Sequence, residues 1–300
     1  MKMSPKDFLA RLKRSNQSTA SIFDIEQQRM AFEAIALKTP IIKDVEVVPA
    51  LLGNINILKC IPKKLETEIQ ILYFHGGGYT MGSLQTHKSL TSFLAKKIGA
   101  TVWSVDYSLA PEHPFPTALH DATSAYEALL KRVDSPKQII VAGDSAGGGL
   151  TVATMLKAKE KGLPMPKGMV LFSPWCDLTL SGWSYSALAD RDFMVRLELL
   201  EWMAGLYAAN TDLSDPFVSP CFGDLSGLPQ MMILVGSEEI LLSDSILLAE
   251  RAGAAGVPVD LQIWPDMPHV FPFFFPFLEA ATTAIEVVKR KFFQATDISS

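Results

Sequence analysis

A serine between two glycines, at the end of a short apolar run, constrains this chain more than any other feature. Residues 139–142 (Ile-Ile-Val-Ala) are apolar and mostly β-branched, which is typical of a strand buried on both faces. After Ser145, small and apolar residues continue over a helical length to Gly162, and glycine commonly ends a helix. The pattern predicts a strand, a sharp turn and a helix, with Ser145 at the turn.

A turn this sharp needs glycine on both sides of the serine. Gly143 and Gly147 leave space where Cβ atoms would clash, and the serine itself must adopt an unfavourable backbone conformation. The result is a nucleophile elbow, in which the Ser145 hydroxyl is lifted out of the sheet. The alternative is a glycine-rich turn with an incidental serine, because G-x-S-x-G also arises by chance.

Composition narrows the functional classes. The 300 residues are 48% hydrophobic and 20% charged, which suits a globular chain with a large core. A net charge of −5 offers no basic surface, so nucleic acid is not an expected partner. No H-E-x-x-H sequence or Cys/His cluster indicates a metal site, and we expect no cofactor.

Targeting and redox features favour a cytoplasmic protein. The N-terminus lacks an apolar region with a small-residue cleavage site, and no stretch approaches the ~18 uninterrupted apolar residues of a membrane span. The three cysteines, Cys60, Cys176 and Cys221, are odd in number and widely spaced. They are more typical of reduced residues in a cytosolic protein than of a disulfide framework.

Apolar runs and helical periodicity alternate along the chain. Strands are expected over residues 45–48, 54–60, 69–74, 101–105, 139–142, 169–172, 231–235 and 259–263. Helices are expected from a start at Ser4-Pro5, over 24–38, from a Thr86 cap to Gly99, and over 117–133, 146–161, 196–209, 243–255 and 279–293. Because helices separate most strands, we predict an α/β fold with a mostly parallel sheet that begins antiparallel.

Residues 177–211 interrupt this alternation. They are rich in aromatic residues, and the helix predicted over 196–209 is apolar almost all round, so it must be covered on more than one side. We interpret the segment as a lid over the serine, with one more core helix as the alternative. The predicted division is a catalytic core of residues 41–176 and 216–300 and a helical cap of residues 1–40 and 177–215.

A serine hydroxyl is a weak nucleophile and needs an adjacent base, which a third group orients. His269 follows the predicted strand 259–263, at the sheet edge where the sites of open α/β sheets assemble. His269 is therefore the predicted base. The other histidines are more typical of structural hydrogen bonding: His75, His87, His113 and His120.

The orienting acid should lie between the serine and the histidine in the chain. The predicted strand 231–235 leads into a loop with three candidate carboxylates, Glu238, Glu239 and Asp244. We choose Glu239, whose buried carboxylate would accept the Nδ1–H of His269 and fix the tautomer. Glu238 is the second choice, and Asp244 could instead cap the following helix.

The sequence His-Gly-Gly-Gly at residues 75–78 directly follows the predicted strand 69–74. Glycines leave backbone N–H groups unshielded, so an oxygen can approach them closely. Such a loop forms an oxyanion hole together with the N–H of the residue after the nucleophile, so Gly77, Gly78 and Ala146 are the predicted donors. The competing interpretation, a phosphate-binding loop, lacks its G-x-x-x-x-G-K-[ST] or G-x-G-x-x-G sequence.

Four segments together resemble the bacterial hormone-sensitive-lipase-like (family IV) carboxylesterases of the α/β-hydrolase superfamily. They are H-G-G-G at 75–78, D-Y-S-L-A-P-E-H-P-F-P at 106–116, G-D-S-A-G-G at 143–148 and M-P-H-V-F at 267–271. They occur in order and at compatible spacing. The resemblance implies an α/β-hydrolase fold with an eight-stranded sheet and a helical cap, and hydrolysis of short-chain acyl esters through an acyl-enzyme.

Position by position, the resemblance assigns the same nucleophile, base and oxyanion donors: Ser145, His269, Gly77, Gly78 and Ala146. The chain departs from the family pattern at two positions. The family's acid is usually Asp, where this chain has Glu239, and Arg is frequent where this chain has Ser108. The first departure concerns the triad itself, whereas the second concerns how the loop at 106–116 is braced.

These expectations combine into a cofactor-free serine carboxylesterase acting on a small-molecule ester. Bulky aromatic residues of the predicted lid, Trp183, Phe193 and Trp202, favour acyl chains up to roughly C8. The alternatives are an amidase or peptidase with the same triad, and a non-catalytic small-molecule receptor on the same fold. The apolar run 271–278 is either a surface for a homodimer or core beneath the terminal helix.

Overall fold

Eight strands form one sheet in the residues that the structure, a computed structural model, describes: 23–36, 39–40 and 42–294. The strands are Val45–Leu52 (β1), Ile55–Pro62 (β2), Gln70–Phe74 (β3), Thr101–Val105 (β4), Ile139–Asp144 (β5), Gly168–Phe172 (β6), Met231–Gly236 (β7) and Val259–Trp264 (β8). Their order in the sheet is β1-β2-β4-β3-β5-β6-β7-β8. The β1–β2 and β2–β4 pairs are antiparallel and all other pairs are parallel. The predicted α/β class, with its antiparallel beginning, is confirmed.

Helices connect most of the strands. In the described residues they are Ile25–Ala36 (α1), Leu84–Ile98 (α2), Thr117–Leu130 (α3), Ala146–Glu160 (α4), Ser184–Ala187 (α5), Leu197–Ala208 (α6), Leu242–Ala254 (α7) and Glu279–Phe292 (α8). Short 3₁₀ turns lie at Pro136–Gln138, Pro220–Phe222 and Phe271–Phe274. No helix in this part of the chain is long and apolar enough to cross a bilayer.

Both faces of the sheet are buried. Along β3, Ile71 and Tyr73 belong to one buried cluster, while Leu72 and Phe74 belong to the other. This is the alternation that a strand produces, because successive side chains point to opposite faces. Residues of α2 and α8 fill the first cluster and residues of α3, α4 and α7 fill the second. The sheet is therefore covered by helices on both sides, as parallel sheets require.

The parallel register brings the carboxyl ends of four strands to one edge. Phe74 at the end of β3 is paired with Gly143 of β5, and Gly236 at the end of β7 is paired with Trp264 of β8. The loops that follow these strands therefore begin at the same height along the strand direction. The edge is the place where ligand sites of open α/β sheets form.

The start of α2 corrects one prediction. The N-cap is Ser83, whose Oγ accepts the backbone N–H groups of Gln85 and Thr86, each at 3.1 Å. Thr86 is the third helical residue, and its Oγ1 accepts the Ser83 N–H at 2.8 Å to close a capping box. The sequence predicted Thr86 as the N-cap because a hydroxyl residue can stand at the N-cap or at the third helical position of a capping box. The predicted end at Gly99 is confirmed.

Three predictions concern segments near the ends of the chain. The helix expected at Ser4-Pro5 lies outside the described residues, whereas the helix expected over 24–38 is observed as α1. The apolar run 271–278 lies mostly in the core, where Phe271, Pro272 and Leu278 are buried, and Phe277 is exposed. The homodimer stays a prediction.

Helix α6 lies against the segment that follows β3. The Sδ atom of Met203 would be 2.1 Å from a Cβ placed on Gly78. The ring of Tyr207 stacks on Tyr79 with centroids 3.8 Å apart. The outer positions of α6, including Glu201, are exposed. This helix is therefore packed over the loop predicted to supply two oxyanion donors.

We expect Gly147 to be required for folding, in contrast to a second helical glycine. A Cβ on Gly147 would be 2.1 Å from the carbonyl oxygen of Phe74 and 2.4 Å from that of His75, so Gly147→Ala should lower the free energy of unfolding by about 1–3 kcal/mol. Exposed Gly205 in α6 has no heavy atom within 4 Å of such a Cβ, and Gly205→Ala should raise the free energy by up to about 1 kcal/mol. Urea unfolding measures both, and equal stability of the two variants would contradict the packing argument.

Candidate active site

Ser145 occupies a strained turn between β5 and α4. Its φ of 51° and ψ of −124° lie outside the helical and strand regions. Two backbone hydrogen bonds hold this conformation: the Ser145 N–H donates to the Phe172 carbonyl at 2.9 Å, and the Trp175 N–H donates to the Ser145 carbonyl at 2.9 Å. A non-glycine residue keeps such a conformation only where its surroundings enforce it, and this is frequent at functional sites.

His269 and Glu239 meet in a buried hydrogen bond. His269 Nδ1 is 2.7 Å from Glu239 Oε2, and the Glu239 side chain is fully buried. The two residues come from the loops after β8 and β7, which are neighbouring strands of the sheet. Because an ionised carboxylate only accepts hydrogen bonds, Nδ1 carries the proton and Nε2 is left as the basic nitrogen.

Ser173, which the sequence analysis did not single out, connects three loops at this site. Its Oγ donates to Glu239 Oε1 at 2.7 Å and accepts the Val270 N–H at 3.0 Å. Glu239 Oε1 also accepts the Gly236 N–H at 2.6 Å. The bonds from Ser173 and Gly236 hold the Glu239 carboxylate through Oε1, which leaves Oε2 for His269. The sequence signal was the position of Ser173 directly after the buried strand β6.

The other two candidate acids belong to different networks. Glu238 forms a two-point ion pair with Arg191, with Nε to Oε2 at 2.8 Å. Asp244 accepts the N–H groups of Cys176 and Asp177, and it accepts the Tyr185 hydroxyl at 2.8 Å. Asp244 therefore ties α7 to the segment after β6 instead of capping its own helix. Of the three carboxylates, Glu239 is the one hydrogen-bonded to His269.

A third buried carboxylate approaches the acid loop from residues 177–215. Asp192 Oδ2 accepts the Ile240 N–H at 2.9 Å, and its Oδ1 accepts the N–H groups of Met194 and Val195. Burial raises the pKa of Asp192 above its usual range, although the positive charge that His269 can carry and the N–H groups of Ile240 and Val195 lower it in part. Nothing in the sequence around Asp192 indicated this contact, because its partner is 48 residues away.

The charges around His269 raise its pKa. Burial by itself lowers the pKa of an imidazole, but the charge of Glu239 and its hydrogen bond outweigh burial, and Asp192 and Asp144 add to the effect. The surroundings of His269 therefore stabilise its protonated form, which a general base must adopt. No hydrogen bond joins Ser145 Oγ to the His269 ring in the described part of the chain, and such bonds are often long before substrate binds.

The glycine loop after β3 passes beside the serine. A Cβ on Gly76 would be 3.1 Å from the Cβ of Ser145. Gly77 and Gly78 have φ values of 120° and 61°, which side-chain-bearing residues rarely adopt. Ala146 is the first residue of α4, where helical N–H groups have no partner within the helix. The structure therefore brings the predicted donor segments to the same place as Ser145.

Asp144 anchors the glycine loop to the elbow. Its Oδ1 accepts the Tyr73 hydroxyl at 2.7 Å and the Gly76 N–H at 3.1 Å, and its Oδ2 lies 3.3 Å from His87 Nε2. Burial opposes ionisation, but His87 and these donors keep the pKa of Asp144 below its usual range. No role is predicted from the sequence for Asp144, which precedes Ser145 in the G-x-S-x-G motif. In the structure it links the turn at Ser145 to the glycine loop after β3.

The remaining histidines do not reach Glu239. His75 stacks on Tyr107 with ring centroids 4.3 Å apart, and burial followed by the neighbouring His87 lowers its pKa to about 3. His75 is therefore neutral at ordinary pH. His113 and His120 are exposed. The structural hydrogen bonding expected of His113 and His120 is therefore not supported, and His269 is the histidine hydrogen-bonded to Glu239.

Replacing Glu239 should lower the pKa of His269. Glu239→Gln removes the charge that opposes burial, so the ring should stay neutral to a lower pH than in the unsubstituted protein. NMR titration of labelled histidine rings measures this directly. Glu238→Gln is the matched control, because Glu238 pairs with Arg191, and it should leave the His269 titration nearly unchanged. An unchanged or raised pKa in Glu239→Gln would contradict the described electrostatics.

Known proteins share this sequence and geometry. The chain matches the α/β hydrolase fold family over residues 71–273. An acetyl-hydrolase of Streptomyces hygroscopicus is 43% identical over 217 residues, which cover 72% of this chain and 73% of that protein. An esterase of Acinetobacter venetianus is 40% identical over 218 residues, which cover 72% of this chain and 71% of that protein.

Solved structures agree with the fold along nearly the whole chain. A hormone-sensitive lipase from a metagenome library superposes with a TM-score of 0.93 at 52% sequence identity, covering 97% of each chain. An esterase from the bacterial hormone-sensitive lipase family superposes with a TM-score of 0.92 at 35% identity, covering 97% of this chain and 98% of the other. This chain therefore belongs to the α/β hydrolase fold family, among the bacterial esterases of the hormone-sensitive lipase family.

Proposed function

We propose that the protein hydrolyses short- to medium-chain acyl esters through an acyl-enzyme. Ser145 is the nucleophile, His269 the base and Glu239 the orienting acid. The observation that carries the proposal is the buried 2.7 Å hydrogen bond between Glu239 and His269, at the sheet edge where Ser145 occupies its strained turn. The acetyl-hydrolase and esterase names of its relatives support a small acyl substrate.

Acylation begins with proton transfer from Ser145. Its Oγ attacks the carbonyl carbon of the ester, and the hydroxyl proton passes to His269 Nε2. The carbon becomes tetrahedral and its oxygen gains a negative charge. When the ester C–O bond breaks, the imidazolium gives its proton to the leaving alcohol. The raised pKa of His269 favours the protonated ring during this interval.

Deacylation repeats the sequence with water. Water gives a proton to His269 Nε2 and adds to the acyl carbon, forming a second tetrahedral intermediate. The bond from Ser145 Oγ to this carbon then breaks, and the proton returns from the ring to Oγ. The products are a carboxylic acid and the free serine. No cofactor takes part in either half of the reaction.

The negative oxygen of both intermediates needs preorganised donors. We assign this role to the backbone N–H groups of Gly77, Gly78 and Ala146. Support comes from the approach of Gly76 to Ser145 and from the position of Ala146 at the start of α4. Losing one such donor typically costs roughly 10²–10³ in rate, so the loop would supply a large share of the rate enhancement.

We further propose that residues 1–40 and 177–215 form a helical cap over a core of residues 41–176 and 216–300. The contact of Met203 with Gly78 supports this division. Trp202 packs edge-on against Phe23 of the N-terminal segment, with centroids 5.8 Å apart. Trp183 is more than half exposed, so Trp202 and Phe193 are the better candidates for walls of the acyl pocket.

The cellular setting stays at the level of prediction. The substrate is a small ester, and the cysteine usage supports a cytoplasmic location. All three cysteines are buried and free. A homodimer and the absence of a nucleic-acid partner are expectations from the apolar run 271–278 and from the net charge.

Ser145→Ala should abolish turnover and leave the fold intact. We expect the rate of p-nitrophenyl acetate hydrolysis to fall by about 10⁴-fold or more, because no other group can form the acyl-enzyme. Ser124→Ala, an exposed serine on α3, is the control and should keep full activity. A fluorophosphonate probe should label the unsubstituted protein and Ser124→Ala but not Ser145→Ala. Retained hydrolysis in folded Ser145→Ala would refute the proposal.

Hydrolysis should decline for acyl chains longer than roughly C8. The measurement is kcat/KM for p-nitrophenyl esters from C2 to C16. Trp202→Ala should extend the accepted length, whereas Leu206→Ala, at a half-buried position of the same helix, should not. A value of kcat/KM that rises steadily to the palmitate ester would contradict a closed acyl pocket.

A further inference from the structure

Arg29 of α1 reaches into the loops that surround the oxyanion donors. Its Nε donates to the carbonyl oxygen of Thr80 at 2.8 Å, and its Nη2 donates to that of Ala110 at 2.9 Å. Thr80 follows the glycine loop after β3, and Ala110 lies in the loop after β4. One side chain from the N-terminal helix therefore bridges two loops at the carboxyl edge of the sheet.

Glu112 fixes the orientation of this guanidinium. Nη1 and Nη2 of Arg29 donate to its two carboxylate oxygens at 2.7 and 2.8 Å. The hydrogen bond from Arg29 lowers the pKa of Glu112 to about 2, so the carboxylate stays ionised at working pH. The planar guanidinium of Arg29 donates hydrogen bonds from Nε and from both Nη atoms, so its orientation is preorganised. A lysine ammonium group cannot reproduce this geometry.

Thr80, whose carbonyl accepts a hydrogen bond from Arg29, also closes the turn of the glycine loop. The N–H groups of Thr80 and Met81 both donate to the Gly77 carbonyl, at 3.1 and 2.9 Å. The Ala110 N–H donates to the Tyr79 carbonyl at 2.9 Å, so the two loops are already paired. The bond from Arg29 to the Thr80 carbonyl is a further contact on this turn, made from outside it.

The turn depends on such external bonds because glycines supply no side chains. Gly77 and Gly78 can each adopt many backbone conformations, and only one orientation directs their N–H groups at the intermediate. On one side Asp144 holds Gly76, and on the other side Arg29 holds Thr80. The two anchors enclose the donor residues.

We propose that Arg29 is a positioning residue for the oxyanion hole. It acts through Thr80 and Ala110 and touches no reacting atom. This inference rests on the proposed function, since the donors matter only if Ser145 forms a tetrahedral intermediate. Because preorganised donors act most strongly in the transition state, loss of Arg29 should lower kcat and leave KM nearly unchanged.

The test compares Arg29→Ala and Arg29→Lys with Arg132→Ala. Arg132 is an exposed arginine that donates to the Leu51 carbonyl at 2.9 Å, on the far side of β2, so it is a matched control. With p-nitrophenyl acetate, Arg29→Ala should lose about 10-fold in kcat, less than the roughly 10²–10³ for a deleted donor. Arg29→Lys should lose about 3-fold, and Arg132→Ala should match the unsubstituted protein.

A trifluoromethyl ketone separates positioning from mere stability. Ser145 Oγ adds to its carbonyl to give a tetrahedral adduct, whose oxygen uses the same donors as the intermediate. Its inhibition constant should rise by the same factor as kcat falls, in both Arg29 variants. Added guanidinium should restore part of the Arg29→Ala rate. Thermal unfolding, monitored in parallel, fixes an assay temperature at which every variant is folded.

The possible results distinguish failure of the Arg29 proposal from failure of the proposed function. Unchanged kcat and inhibition constant in both Arg29 variants, with only a lower melting temperature, would overturn the proposal and leave Arg29 a structural tie. If Arg29→Ala does not fold, Arg29→Lys decides by the same two measurements. Absence of Ser145-dependent turnover in the unsubstituted protein would refute the proposed function, and this inference with it.

Discussion

The close approach of two backbone segments at the serine turn is the constraint on which this structure depends. The carbonyl oxygens of Phe74 and His75 occupy the space that a side chain on Gly147 would need. Parallel pairing of β3 with β5 brings these segments to the same level of the sheet. The glycine loop and Ser145, the proposed nucleophile, can therefore lie side by side with no side chain between them. Everything else at the site orients groups around this contact.

Electrostatics at the site follow from buried carboxylates that are each hydrogen-bonded. Glu239, Asp144 and Asp192 receive donors from backbone N–H groups, hydroxyls or histidine, which reduce the cost of burying a charge, although burial still raises the pKa of Asp192. All three favour a proton on His269. In the proposed mechanism His269 becomes positive during each cycle. The neighbouring carboxylates favour this charge, whereas burial alone would keep the ring neutral.

Elements that lie outside the sheet complete the site from two directions. Helix α1 contributes Arg29 to the loops after β3 and β4, and α6 places Met203 against Gly78. Asp192 reaches the acid loop from the same part of the chain as α6. Residues 177–211 stand out in the sequence by their aromatic content and their break in the strand–helix alternation, whereas α1 is predicted from the sequence only as a helix within residues 1–40 of the cap. The contacts of both segments could not be predicted, because each partner lies tens of residues away and no local pattern encodes it.

Local sequence was sufficient for the elements and for the residues that sit at their ends. Period and β-branching marked the eight strands, glycine marked the turn at Ser145, and strand ends pointed to His269 and to the loop of Glu239. The helix start at Ser83 was misplaced by three residues, since either hydroxyl suits a capping box. The sequence favoured Glu239 over Glu238 and Asp244, but only the tertiary structure showed its bond to His269. Only the tertiary structure also showed that Ser173 joins residues 66 and 97 positions away. Backbone conformation is set by neighbours in the chain, whereas hydrogen-bond partners across a sheet edge are set by strand order and register.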